Sequence, residues 1–192
     1  MNLTAANVLT VSRLVLTPVF VAAFVLGMHQ TAFVIFCVAG FTDLIDGSVA
    51  RLLNQHSKGG AILDPLADKF LMQSCFVALA SVGILPLWFF LLAFARDATI
   101  VLGIIYLEVK KAQLPYRPLL VSKVATLVQL AVAVLGLLLW WRPELAPLGM
   151  SLFSWLLWVI LAATALIIAS GLQYVRMGFE ILRRNAARRA HP

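Results

Sequence analysis

Negative charge is what this sequence lacks most. Eight of its 192 residues are Asp or Glu, and charged residues of both signs together make up 12%. A water-soluble domain carries roughly twice that share, so a soluble enzyme is excluded and no nucleic-acid partner is expected. Cysteine is almost missing as well. Cys37 and Cys75 both fall inside apolar runs, where they read as small buried hydrophobes, not as a disulfide or a metal pair. Histidine is equally scarce: His29, His56 and His191 have no partner at metal-ligand spacing, and each is expected to be solvated. No internal repeat and no second acidic cluster is visible. The first apolar run has Arg13 in its start and no small-x-small site after it, so it is read as a retained span and not as a cleaved leader.

What the chain has in abundance is apolar length. Hydrophobic residues make up 62% of it and the mean hydropathy is +0.99. A helix needs about 20 mostly apolar residues to cross a bilayer. Six stretches approach that, near 8–26, 31–53, 60–84, 86–109, 120–141 and 148–174. The expected fold is therefore an all-α integral membrane protein of about six transmembrane helices, a single polytopic domain over 1–192. Residues 1–7 could lie along the interface as a short amphipathic start. The net charge is +7, and its placement orients the chain. If the polar hinge at 54–59 is cytoplasmic, then Arg51, Lys58, Lys69, Lys110, Lys111, Arg117, Lys123 and the tail arginines Arg176, Arg183, Arg184, Arg188 and Arg189 share that side, and only Arg142 faces the other. This positive-inside asymmetry puts both termini in the cytoplasm. Trp88, Trp140, Trp141, Trp155 and Trp158 fall mostly near the outer span ends, as an interfacial aromatic belt does.

Half of the acidic residues sit in one place: Asp43, Asp46, Asp64 and Asp68. Residues three or four apart share a helix face, so they form two pairs, one at the end of the second span and one at the start of the third. Side by side, the two helices would gather four carboxylates. Two carboxylates 4 Å apart already repel by about 4 kcal/mol at an effective dielectric near 20. Such a cluster calls for a cation, and oxygen-only donors suit Mg²⁺ or Mn²⁺. Gly47, Ala50 and Gly60 lie on the carboxylate faces and are small enough to let a ligand approach the backbone. Arg51 can fork onto a phosphate. The composite is a seat for a metal-bound diphosphate at the inner membrane surface.

The spacing Asp-x2-Asp-Gly-x2-Ala-Arg-x8-Gly-x3-Asp-x3-Asp, from Asp43 to Asp68, is similar to the signature of the CDP-alcohol phosphotransferases at all eight fixed positions. The resemblance implies a reaction: a phosphatidyl or similar group passes from a CDP-linked lipid to an alcohol, and CMP leaves. It implies Asp43, Asp46, Asp64 and Asp68 as ligands of a two-metal Mg²⁺ or Mn²⁺ site, with Asp68 also the general base. It implies Gly47, Ala50, Arg51 and Gly60 as the surface that holds the CDP moiety. CDP-diacylglycerol, the lipid bilayer and a second copy in a homodimer are the implied partners, and the cytoplasmic face of the inner membrane is the implied place. In length and in the run from Leu63 to Lys69 the chain resembles bacterial phosphatidylglycerophosphate synthases, so glycerol-3-phosphate is the expected acceptor. Arg96-Asp97 and the run from Ser122 to Thr126 instead resemble CDP-diacylglycerol-dependent cardiolipin synthases, whose acceptor is phosphatidylglycerol. A cation or proton transporter using the aspartates is the reading from another class. It lacks the inverted half-sites of that architecture and has no use for the glycines and arginine at fixed distances.

Three further polar features lie outside the signature. Arg96-Asp97 stands about ten residues into the fourth span, too deep to face lipid cheaply, and reads as a buried pair joining helices. Ser122, Lys123, Thr126 and Gln129 open the fifth span at roughly helical spacing. Lys123, with Arg117, either binds an anionic acceptor or simply snorkels to the headgroups. Asn7, Thr10 and Arg13 make a polar stripe on the first span.

Overall fold

A computed structural model describes the backbone of residues 5–40, 60–109 and 120–190, and the side chains of 15–40, 69–107, 120–147 and 149–183. Among the described residues the regular structure is all helical. Helix α1 is Ala5–Val25, α2 covers His29–Gly40 and α3 is Gly60–Ser81. Helix α4 is Leu87–Val109, α5 is Leu120–Trp141, and α6 is Leu152–Ala190, preceded by a single 3₁₀ turn at Pro147–Gly149. Hydrocarbon offers no partner to a free N–H or C=O, so a spanning chain must satisfy its backbone within each segment, as a helix does. Leu87–Leu107, Leu120–Trp141 and Leu152–Arg183 are each long and apolar enough to cross a bilayer, and Val15–Val25, His29–Gly40 and Lys69–Ser81 are shorter apolar stretches. The chain is an all-α integral membrane protein.

The helix ends follow local chemistry. Helix α1 closes with Met28 N–H donating to Ala23 O (2.9 Å) and Gly27 N–H to Phe24 O (3.0 Å). Helix α3 repeats the pattern, with Ile84 N–H to Leu79 O and Gly83 N–H to Ala80 O, both 3.1 Å. Each closure places one residue in the left-handed region, and glycine supplies it at φ 70° and 76°, where a Cβ would clash with the following carbonyl.

The described chain divides into two compact units. In the first, spanning 1–86 and 133–155, α1 packs against α3. Phe20, Phe36, Cys75, Phe76, Leu79 and Leu137 are fully buried there. Gly136 lets α5 come close to α3: a Cβ built on it would stand 2.6 Å from Leu79 Cδ1. The second unit comprises 87–132 and 156–192. Its buried residues include Phe89, Ala93, Ala125, Ile160, Ala163 and Ile167.

Three expectations change. The first helix begins at Ala5, so Ala5 to Asn7 belong to it and not to a separate interfacial piece. The sixth helix does not stop near 174. It runs to Ala190, because what ends there is hydropathy, while Ala and Arg keep favouring helix and Gly178 alone does not break it. The tail arginines are thus helical. His29 is half-buried, not solvated. Its Nδ1–H donates to Trp140 O at 2.9 Å, satisfying a carbonyl in the last turn of α5 that has no partner within the helix. The imidazole stacks on Trp140 at 3.8 Å, as Phe24 does at 4.0 Å. Cys37 and Cys75 are free thiols, half-buried and buried, as expected.

The close α3–α5 approach yields a stability test. Gly136→Val should destabilise the detergent-solubilised protein by about 1–3 kcal/mol through overpacking, read as a lower thermal unfolding midpoint. Leu79→Ala should relieve part of that loss, giving a favourable coupling in the double-mutant cycle.

Candidate active site

Helix α3 carries the second half of the acidic signature. Gly60, Asp64 and Asp68 occupy its first turns at intervals of four residues, so the backbone puts them on one face, successive positions about 6 Å apart along the axis. Asp43, Asp46, Gly47, Ala50, Arg51 and Arg117 lie outside the described residues, and the side chains of Asp64 and Asp68 are likewise not described. The donor set fits a hard divalent cation, since two carboxylates one helical turn apart offer only oxygen.

The second unit holds a polar centre built on Arg96. Arg96 on α4 is 7% exposed. Its Nη1 donates to the carboxylate of Asp97 at 2.7 Å. Its Nη2 donates to the hydroxyl of Ser122 and reaches the Ser122 carbonyl at 3.4 Å. Nε and Nη2 both donate to Ser170 Oγ, at 3.2 Å and 2.9 Å. One guanidinium thereby joins α4, α5 and α6. The expected helix-joining pair is present, and its reach is wider than a pair. Ser170 is the residue the sequence reading missed. A serine in an apolar span needs a partner, and it precedes Gly171, past which the Arg96 stem runs at ordinary contact distance from where a Cβ would stand, 3.9 Å from Arg96 Cγ.

Lys123 follows Ser122 in the first turn of α5 and is exposed. No carboxylate lies within ion-pair distance of it among the described residues. Thr126 Oγ1–H donates back to Ser122 O at 3.1 Å. Farther along the same helix Gln129 is 4% exposed, and among the described residues its Nε2 has no hydrogen-bond partner. Asn7, Thr10 and Arg13 lie on α1, with side chains outside the described set. In the first unit, Arg142 pairs with Glu144 at 3.3 Å on the surface and lies over the Trp141 ring at 5.1 Å.

A family model described as CDP-alcohol phosphatidyltransferase matches residues 3–176. A cardiolipin synthase (CMP-forming)/mitochondrial hydrolase fusion protein of Schizosaccharomyces pombe is 34% identical over 89% of this chain and 30% of its own length. A probable cardiolipin synthase (CMP-forming) of Drosophila melanogaster is 38% identical over 70% of this chain and 47% of its own. A probable phosphatidylglycerophosphate synthase of Mycobacterium tuberculosis is 41% identical over 48% of this chain and 47% of its own. The chain thus spans half or less of the length of these relatives.

Removing Arg96 takes from Asp97 the opposite charge 2.7 Å away and from Ser122 and Ser170 their buried donor. Arg96→Leu should lower stability by about 3–5 kcal/mol, and Arg96→Leu with Asp97→Leu by less than the single change. Thermal unfolding of the solubilised protein measures both.

Proposed function

Because the chain belongs to the CDP-alcohol phosphatidyltransferase family, we propose that it transfers the phosphatidyl group of CDP-diacylglycerol to a hydroxyl of phosphatidylglycerol, forming cardiolipin and releasing CMP. The observation that carries the acceptor is that the relatives matching most of this chain are named cardiolipin synthases. Glycerol-3-phosphate, the acceptor expected from overall likeness, becomes the second reading, supported by the relative named for phosphatidylglycerophosphate synthesis over about half of the chain. The Arg96-Asp97 pair and the Ser122-Lys123 start of α5, joined in the second unit, are the features that resembled cardiolipin synthases in sequence.

In this reading Asp43, Asp46, Asp64 and Asp68 hold a pair of Mg²⁺ or Mn²⁺ ions, which when bound neutralise the diphosphate and stabilise charge on the attacking and leaving oxygens. Gly47, Ala50 and Gly60 leave room for the CDP moiety, and Arg51 forks onto its phosphate. Asp68 takes the proton from the acceptor hydroxyl. The hydroxyl oxygen attacks the lipid-side phosphorus, the bond from that phosphorus to the bridging oxygen breaks, and CMP departs with the bond's electrons. Lys123 and Arg117 take the acceptor's phosphate, and the exposure of Lys123, with no acidic partner among the described residues, supports that role. The aspartates face the cytoplasm from a multi-pass inner-membrane protein that works as a homodimer.

Purified protein given CDP-diacylglycerol and Mg²⁺ or Mn²⁺ should form cardiolipin and CMP with phosphatidylglycerol as acceptor, and little CMP in a separate reaction with glycerol-3-phosphate. Phosphatidylglycerophosphate as the sole product would overturn the acceptor, and ion flux with no lipid product would favour a transporter. Asp43→Asn or Asp64→Asn should reduce CMP release to background, and near-normal turnover in either would contradict its role as a ligand. Asp68→Asn should keep CDP-diacylglycerol binding while stopping transfer. Loss of binding there would make Asp68 a ligand first and a base second.

A further inference from the structure

Arg96 is more than a helix fastener. Its guanidinium reaches Ser122 through both the hydroxyl and the backbone carbonyl, and Ser122 adjoins Lys123 in the chain. The anchorage on α6 is a single hydroxyl that accepts from two guanidinium nitrogens. The positive charge of Arg96 is met by Asp97 at 2.7 Å, whereas Lys123 is exposed and has no carboxylate partner among the described residues. In the described part of this unit one cation is committed to structure and its neighbour across Ser122 is left for a ligand. A planar fork holds the first turn of α5 more firmly than an ammonium would, because it engages two helices in fixed directions.

We propose that Arg96 is a positioning residue, which ties the first turn of α5 to α4 and α6 so that Lys123 is held ready for the phosphate of the acceptor lipid. This rests on the reading of Lys123 as an acceptor-binding residue. Ser170 is the remote half of the device, since it touches Arg96 on a different helix from Lys123. An early, fixed cation improves acceptor binding by removing the ordering that a mobile lysine would undergo on binding. The consequence is selective: loosening the fork should weaken the acceptor and leave the nucleotide-lipid and the chemical step largely alone.

The test is steady-state kinetics in mixed micelles of defined CDP-diacylglycerol and phosphatidylglycerol content, on the full chain. Ser170→Ala removes the α6 anchor with little change of volume, and Arg96→Lys keeps the charge beside Asp97 but loses the fork. Each should raise KM for phosphatidylglycerol about 5–10-fold, with kcat and KM for CDP-diacylglycerol within about twofold. The decisive measurement repeats Ser170→Ala in a Lys123→Ala background, where the acceptor effect should disappear because the two changes remove one interaction. Persistence of the full factor in that background would overturn the inference, as would a joint fall in kcat and rise in both KM values that follows thermal stability. Lys123→Ala that leaves the acceptor KM unchanged would overturn the acceptor reading itself. That result is distinct from failure of Ser170→Ala alone.

Discussion

A polar group inside hydrocarbon must find its partner in the protein, and nearly every informative feature of this molecule obeys that constraint. Arg96 is the plainest case. A guanidinium within an apolar helix would be prohibitive alone, so Asp97 balances it and the two serines accept its remaining reach. The consequence is geometric as well as energetic. Satisfying one cation determines how three helices of that unit meet. His29 shows the same rule at a helix end, where an imidazole closes a carbonyl that α5 could not satisfy itself.

The acidic signature turns the rule to chemistry. Four carboxylates gathered as proposed would need compensation, and a cation is the simplest source of it. Helix α3 presents Gly60, Asp64 and Asp68 in register along one face at its start. A charged diphosphate could not be held in lipid, so a site of this kind belongs at the membrane surface, where apolar acyl chains and a soluble nucleotide are both accommodated.

Much of this was legible from the residues. Two helix ends that lie between described residues follow from the sequence: α4 begins at Leu87, beside Pro86, and α5 ends at Trp141, where the apolar run stops. The sixth helix was read short because hydropathy reports where lipid ends, not where helical hydrogen bonding ends. His29 was misjudged since its partners, Trp140 and its carbonyl, are over a hundred residues away, and nothing local announces a stacking surface. Ser170 escaped for a related reason: one hydroxyl among isoleucines and alanines carries no periodic signal, and its meaning depends on Arg96 from another helix. Glycerol-3-phosphate was favoured on general likeness, whereas the residues that resembled the other branch, Arg96 and Ser122, are the ones the fold draws together.

Helix α6 is 39 residues long, about 58 Å at 1.5 Å per residue, while the hydrocarbon layer is about 30 Å thick. Roughly half of that rod must therefore run outside the oily layer or along its edge, with its arginines clustered toward the far end. Between Ser170 and that cationic end there is no joint, only continuous hydrogen-bonded backbone. A rod without a joint carries tilt from tip to base, so whatever anionic surface steadies the arginines also steadies the serine that holds the guanidinium.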